Sequence, residues 1–134
     1  MGVIVDTCVW VDVERGRLAP ADIADLIGDE AVFIAAPVIA ELEYGVHQAK
    51  TNDRRIKRAR SVGRIKTKPC VIMDAHTGEL FGKLAAQLCA SGNAPQHRIQ
   101  DLWLAALAVQ YNMTLLTRNE KDFVDVPGLD LAVI

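Results

Sequence analysis

The sequence contains few cysteines, and they are not arranged as a disulfide framework or a zinc site. Cys8, Cys70 and Cys89 are odd in number, widely spaced and without a C-x-x-C pair. The chain also lacks the run of about 18 apolar residues that a membrane helix needs. Its first residues show no basic region, long apolar stretch or cleavage site of a signal peptide. We therefore expect a soluble, cytoplasmic protein that does not enter a membrane.

Linkers and low-complexity segments are missing as well. The 134 residues are 51% hydrophobic and 24% charged, and no stretch is rich enough in Ser, Gly or Pro to form a linker. This length is usual for one domain with one core. We expect a single domain over residues 1–134 without internal repeats.

Positive charge is present, but it is concentrated in one segment. The net charge of −2 argues against a protein that coats nucleic acid with its whole surface. Eight of the fifteen Lys and Arg residues nevertheless lie between positions 54 and 68. As a helix, this segment would group Ile56, Ala59 and Gly63 opposite a broad basic face. That face is either a solvated surface or a binding site for RNA phosphates, and its candidate RNA-binding residues are Arg54, Lys57, Arg58, Arg60 and Arg64.

Short apolar runs alternate with helical segments along the chain. Strands are predicted at Val3–Val5, Val32–Ala35, Cys70–Met73, Met113–Thr117 and Leu131–Ile134. Helices are predicted over 8–14, 20–28, 37–49, the basic segment after Thr51–Asp53, from the Asp74 cap to the Ser91–Asn93 break, and 99–111. This alternation predicts an α/β fold, a three-layer sandwich in which helices flank a short parallel β-sheet.

Acidic and amide side chains follow the predicted strands. Asp6 follows the first strand, Glu41 lies in the first turns after the second, and Asn119 and Asp122 follow the fourth. Ligands bind beyond the carboxyl ends of strands in open parallel sheets. Asp101 lies in an otherwise apolar helix, where an unpartnered buried carboxylate is costly and a cation would remove the cost. Each acid alone is equally well explained as a cap or a solvated residue, but their shared placement favours one site.

Four segments share their order and spacing with a known family: Ile4–Trp10, Pro37–Gly45, Ile99–Ala108 and Leu116–Phe123. They resemble the PIN-domain ribonucleases, and among these the VapC-type toxins of bacterial toxin–antitoxin pairs. The likeness covers nearly the whole chain. It implies a PIN-like fold and an Mg²⁺- or Mn²⁺-dependent endoribonuclease that leaves a 5′-phosphate and a 3′-hydroxyl.

The resemblance also implies residue roles and partners. The implied catalytic residues are Asp6, Glu41, Asp101 and Asp122, and the implied metal ligands are Asp6, Glu41, Asp101 and Asn119. The implied partners are an RNA substrate, a VapB-type antitoxin and a second copy of the chain in a homodimer. Cys8 departs from the family, which usually has Ser or Asn there, and a thiol is a weaker hydrogen-bond donor.

Two other function classes fit parts of the pattern. A receiver-like phosphorylation domain requires a Lys after its fifth strand, and the fifth predicted strand is the last segment of this chain. A non-catalytic α/β module that binds RNA or protein is opposed only by the intact set of acids. Arg118, directly after the fourth strand, is a further candidate contact for substrate phosphate.

Overall fold

The computed structural model describes residues 2–92 and 98–134, and it shows five strands in one parallel sheet with the order β3-β2-β1-β4-β5. The strands are β1 Gly2–Val5, β2 Ala31–Ala35, β3 Cys70–Val71, β4 Thr114–Thr117 and β5 Asp130–Val133. The third strand is two residues shorter than predicted, because Ile72 turns out to solvent and is 71% exposed. The predicted parallel sheet is confirmed.

Six α-helices connect the strands. They are α1 Thr7–Glu14, α2 Pro20–Ile27, α3 Ala36–His47, α4 Asn52–Ile65, α5 Ala75–Ala90 and α6 Ile99–Gln110. A 3-10 turn spans Glu120–Asp122. The predicted break after α5 begins at Ser91, but Asn93 lies outside the described residues. None of the described helices combines the length and the apolar character required to cross a membrane.

The central strand β1 sets the three layers. All four of its residues are buried, and successive side chains point to opposite faces of the sheet. Val3 and Val5 pack with Val9 of α1 and Ile23 of α2. Ile4 instead belongs to the larger cluster formed with α3, α5 and α6. The predicted three-layer sandwich is therefore confirmed.

Strand order reverses at β1, and this positions the site. The chain passes from β1 to β2 and β3 on one side, whereas β4 and β5 lie on the other. Val5 of β1 pairs with Leu116 of β4, so Asp6 and Thr117 emerge side by side. The carboxyl ends of strands at such a reversal form the usual ligand crevice of an open parallel sheet.

The predicted apolar face of the basic helix is wrong. Ile56 is 51% exposed, and the buried residues of α4 are Ser61, Val62 and Ile65. Val62 and Ile65 join the core cluster that contains Leu42 and Val46 of α3, because they bury more apolar surface there than Ala59 and Gly63 would. Arg58 lies on the same face and donates from Nη1 to the carbonyl of Gly45 in α3 at 2.7 Å.

Arg58 is therefore expected to stabilise the contact between α3 and α4. Replacement by Met keeps the apolar stem but leaves the Gly45 carbonyl without its donor, which should lower the free energy of unfolding by about 1–2 kcal/mol. The matched change at exposed Arg60 should stay within about 0.5 kcal/mol of wild type. Urea unfolding measures both variants, and equal losses would contradict this role.

Candidate active site

Asp6 is held rigidly between β1 and α1. Its side chain is the N-cap of α1, where Oδ1 accepts from the backbone N–H of Thr7 at 2.8 Å. Oδ2 accepts from the Thr117 hydroxyl at 2.8 Å, and the residue is only 5% exposed. The ends of two adjacent strands thus fix one buried carboxylate in a single orientation.

Cys8 gives Asp6 a second, weaker contact. Its Sγ donates to Asp6 Oδ2 at 3.5 Å and lies 3.7 Å from the Thr117 hydroxyl. Burial raises the pKa of the Cys8 thiol, and the charge of Asp6 raises it further. The thiol therefore stays protonated as a donor, while Thr117 provides the short hydrogen bond from a side chain.

Glu41 and Asp101 are brought close to Asp6. Much of Glu41 is exposed, yet partial desolvation of its carboxyl raises its pKa, and the charges of Asp6 and Asp101 raise it further. Burial raises the pKa of Asp101 to about 6, with added repulsion from Asp6 and Asp122 and an opposing effect of Arg98. Four acids predicted from distant segments thus interact electrostatically at one end of the sheet.

An open cleft of about 490 Å³ lies beside Asp6, and Glu41 and Asn119 line it. The backbone N–H of Asn119 donates to the Thr117 hydroxyl at 3.0 Å, so its position depends on the same residue that orients Asp6. Asp122, in the 3-10 turn, accepts from Arg98 through its backbone carbonyl. The carboxylate of Asp122 is not used in this contact, and its charge raises the pKa of Asp101. We call Asp6, Glu41, Asp101 and Asp122 the acid cluster.

The donor chemistry fits a divalent cation, although the described residues contain no group of three acids, histidines or cysteines close enough to enclose one. Carboxylate and amide oxygens are the ligands that Mg²⁺ prefers, and Mg²⁺ keeps several waters at an open site. The hydroxyl of Thr7 is buried at the edge of the cleft and is directed toward Glu41. It lowers the pKa of nearby Glu41, so both groups face the same polar space.

The predicted basic residues lie in several places. Arg118 lines the cleft, but its Nη1 is engaged by Asp12. Two grooves adjoin α4: the first is lined by Arg15, Arg17, Arg54, Lys57 and Arg58, beside Glu14, and the second includes Lys57, Arg60 and Arg64 beside Asp53. The structure thus brings the predicted acids together, whereas among the predicted cations Arg118 lines the cleft and those of α4 line separate grooves.

Sequence reasoning missed Thr117, Asp12 and Arg17. Asp12 follows Cys8 by four residues on α1, so helical spacing was the available signal that it shares a face with the residue beside Asp6. Thr117 and Arg17 carried no such local signal. Their roles depend on which elements pack together.

Known proteins resemble this chain in sequence and in fold. The PIN domain family model matches residues 3–129. Ribonuclease VapC5 of Mycobacterium tuberculosis is 30% identical, over 93% of this chain and 87% of that protein. Ribonuclease VapC of Rickettsia bellii is 28% identical, over 100% of this chain and 97% of that protein.

Solved structures show the same architecture. VapBC2 from Rickettsia felis, bound to a DNA fragment from its promoter, superposes with a TM-score of 0.85 at 23% identity, covering 100% of this chain and 99% of that one. VapBC-5 from Mycobacterium tuberculosis superposes with a TM-score of 0.79 at 25% identity, covering 100% of both chains.

The raised pKa of Asp101 predicts a pH-dependent stability in metal-free protein. An unfolded Asp has a pKa of about 3.9, whereas the folded value is about 6. Between these values the folded state binds more protons, so this residue lowers the free energy of unfolding as pH rises. Asp101→Asn should remove that decline.

Thermal melts of wild type and Asp101→Asn in EDTA, from about pH 4 to about pH 7, measure the effect. The two proteins should differ least at the acidic end, and the variant should gain on wild type toward neutral pH. A constant difference across this range would show that Asp101 ionises in the folded protein as it does in the unfolded chain.

Proposed function

The chain belongs to the PIN-domain family, and from that membership we propose that it is a divalent-metal-dependent endoribonuclease, the toxin of a type II toxin–antitoxin pair. The observation that carries the proposal is the convergence of Asp6, Glu41 and Asp101, where burial and then mutual repulsion raise the pKa of Glu41 and Asp101. A fold gains no stability from such repulsion, whereas a nuclease requires the charge to bind a cation.

We assign Asp6, Glu41, Asp101 and Asn119 as the groups that hold Mg²⁺ or Mn²⁺, with Asp122 beside Asp101. When bound, the cation lowers the pKa of water and neutralises charge on the phosphodiester. Asp6 is fixed for this role by Thr7 and Thr117. Asp101 projects from a helix whose residues Leu104–Ala108 are all buried, so its backbone cannot move away from the repulsion without disturbing the core.

RNA is the proposed substrate, and the basic grooves are its proposed path. Arg15 and Arg17 after α1 face Arg54 and Lys57 of α4 across one groove, which shares Arg17 with the acidic cleft. Lys and Arg contacts to phosphate attract a polyanion without reading its sequence. They compensate for the repulsion between the RNA backbone and the acid cluster.

We further propose a single PIN-like domain over residues 1–134, a cytoplasmic location, a homodimer and a VapB-type antitoxin as partner. The antitoxin proposal rests on the relatives, since VapBC-5 belongs to a family of toxin–antitoxin systems.

A non-catalytic binding module is the alternative function. It predicts RNA binding without cleavage in Mg²⁺ or Mn²⁺.

Glu41→Gln and Glu43→Gln form a matched test of the proposed metal site. Glu41 belongs to the acid cluster, while Glu43, two residues later, pairs with His47 on the surface at 3.3 Å. Glu41→Gln should lower kcat/KM for RNA about 100-fold or more, and should reduce the rise in melting temperature that Mn²⁺ produces. Glu43→Gln should match wild type in both respects.

Cleavage of total RNA with Mg²⁺, Mn²⁺ or EDTA, followed by mapping of the RNA ends, gives the activity. A fully active Glu41→Gln variant would contradict the proposed role of Glu41. Absence of cleavage by the wild type in either metal would contradict the ribonuclease and favour the binding module.

Charge reversal at Arg54, Lys57 and Arg60 tests the proposed RNA path. The triple Glu variant should bind RNA more weakly, and the slope of log Kd against log salt should fall by about 2, since each lost single-strand phosphate contact removes about 0.7. Cleavage at saturating RNA should persist, because none of the three belongs to the acid cluster.

The control carries the same charge change on the exposed residues Lys50, Lys66 and Lys83. Filter binding over a salt series compares the two triple variants with wild type. If both variants lower the slope equally, the effect of α4 is one of overall charge and the helix does not contact RNA.

A further inference from the structure

The wall of the acidic cleft contains a buried carboxylate that belongs to no metal site. Asp12 of α1 is 3% exposed, although a buried acid is costly unless it is paired. Arg118 donates to its Oδ2, and Arg17 Nη1 lies 3.5 Å from its Oδ1. One acid therefore lies between two arginines that come from different parts of the chain.

The backbone around Asp12 fixes the same arrangement. The N–H groups of Arg17 and Leu18 donate to the Asp12 carbonyl at 2.8 and 3.2 Å. Gly16, with a φ of +74°, lets the chain turn back after α1. Both the carbonyl and the carboxylate of Asp12 thus hold the loop that carries Arg17.

Arg118 connects this loop to the acid cluster. It directly follows Thr117, whose hydroxyl donates to Asp6, and it lines the cleft together with Arg17, Glu41 and Asp6. The position of the Arg118 guanidinium is therefore set from two sides, by the end of β4 and by Asp12.

The two guanidinium groups keep donors for another anion. Each has five N–H donors, and Asp12 engages only Nη1 of each. The side chains of Arg17 and Arg118 are 61% and 47% exposed, whereas that of Asp12 is 5% exposed. With one negative and two positive charges, the group presents a net charge of +1 to the cleft.

We propose that Asp12 is a positioning residue that holds Arg17 and Arg118 as a phosphate-binding pair for the RNA strand, beside the bond that is cleaved. The proposal rests on the ribonuclease function proposed above and adds a substrate-binding subsite to it. Arg17 also lines the groove that contains Arg54 and Lys57. The pair therefore connects the cleft to the basic helix along one continuous path.

The Asp12→Asn variant distinguishes a positioning role of Asp12 from a simple effect of its negative charge on RNA binding. Removing a negative charge near a polyanion should strengthen RNA binding if only net charge matters. If Asp12 positions the two arginines, Asp12→Asn should instead weaken RNA binding by about three- to tenfold and reduce the salt slope. Glu14→Gln is the matched control, because Glu14 lies on the same helix, beside the groove and without an ion pair among the described residues. It should bind RNA as tightly as wild type or more tightly.

Arg17→Gln and Arg118→Gln test the same subsite on exposed side chains, where the fold is expected to tolerate the change. Each should lower the salt slope by about 0.7 and raise KM while changing kcat little. In a double-mutant cycle, Arg118→Gln should have a smaller effect in the Asp12→Asn background than in wild type, because Asp12 acts through Arg118.

The measurements use a short single-stranded RNA of mixed sequence, with binding in EDTA and cleavage in Mn²⁺. Wild-type protein that neither binds nor cleaves RNA would overturn the proposed function itself. Wild type that cleaves RNA, together with an Asp12→Asn variant that binds as tightly or more tightly, would overturn only the positioning role. Additive effects of Asp12→Asn and Arg118→Gln would do the same.

Discussion

The pairing of β1 with β4 is the constraint from which the site follows. Asp6 accepts from Thr117 at 2.8 Å, and its own N–H donates to the Leu116 carbonyl at 2.9 Å, so the sheet ladder continues into the acid. Because the strand order reverses here, α1 leaves the sheet between the end of β2, where α3 begins, and the end of β4. The backbone positions of Asp6 and Glu41 are therefore a consequence of the strand topology.

Bringing these acids together lowers the free energy of unfolding, and the packing of the surrounding helices offsets that loss. Burial and mutual repulsion raise the pKa of Asp101 to about 6 in the metal-free protein, so near neutral pH the folded state is strained by its own charge. The helix that carries Asp101 is buried over Leu104–Ala108, where removal of any large side chain would leave a cavity. The apolar packing of this helix therefore keeps the Asp101 carboxylate at a position that electrostatic repulsion disfavours.

Much of this arrangement was predictable, because hydrophobic periodicity and strand ends are local signals. Asp6 and Glu41 could be expected at one edge from the sequence, since parallel strands bring their carboxyl ends together. Asp101 was expected there because a buried carboxylate needs a partner and because the resemblance to PIN-domain ribonucleases implies it. The Arg118–Asp12 pair could not be predicted, because its members are 106 positions apart and neither segment indicates its partner. The buried face of α4 was also mispredicted. The sequence predicts Arg58 as a cation on the exposed basic face. In the structure its stem lies on the buried face of α4, and its guanidinium donates to the Gly45 carbonyl.

A metal-dependent nuclease must keep cations near its acids without letting those cations neutralise them. An unrestrained arginine at the cleft would pair with Asp6 or Glu41 and compete with the metal. In this chain two other carboxylates bind the nearby arginines: Asp12 holds Arg118, and Asp125 holds Arg98 through two contacts of 2.8 Å. Asp101 accordingly keeps a raised pKa although Arg98 lies close enough to lower it. Pairing these arginines with Asp12 and Asp125 keeps them from neutralising the acid cluster, as the proposed metal site requires, while the remaining donors of the partly exposed Arg118 stay available for the proposed phosphate contact.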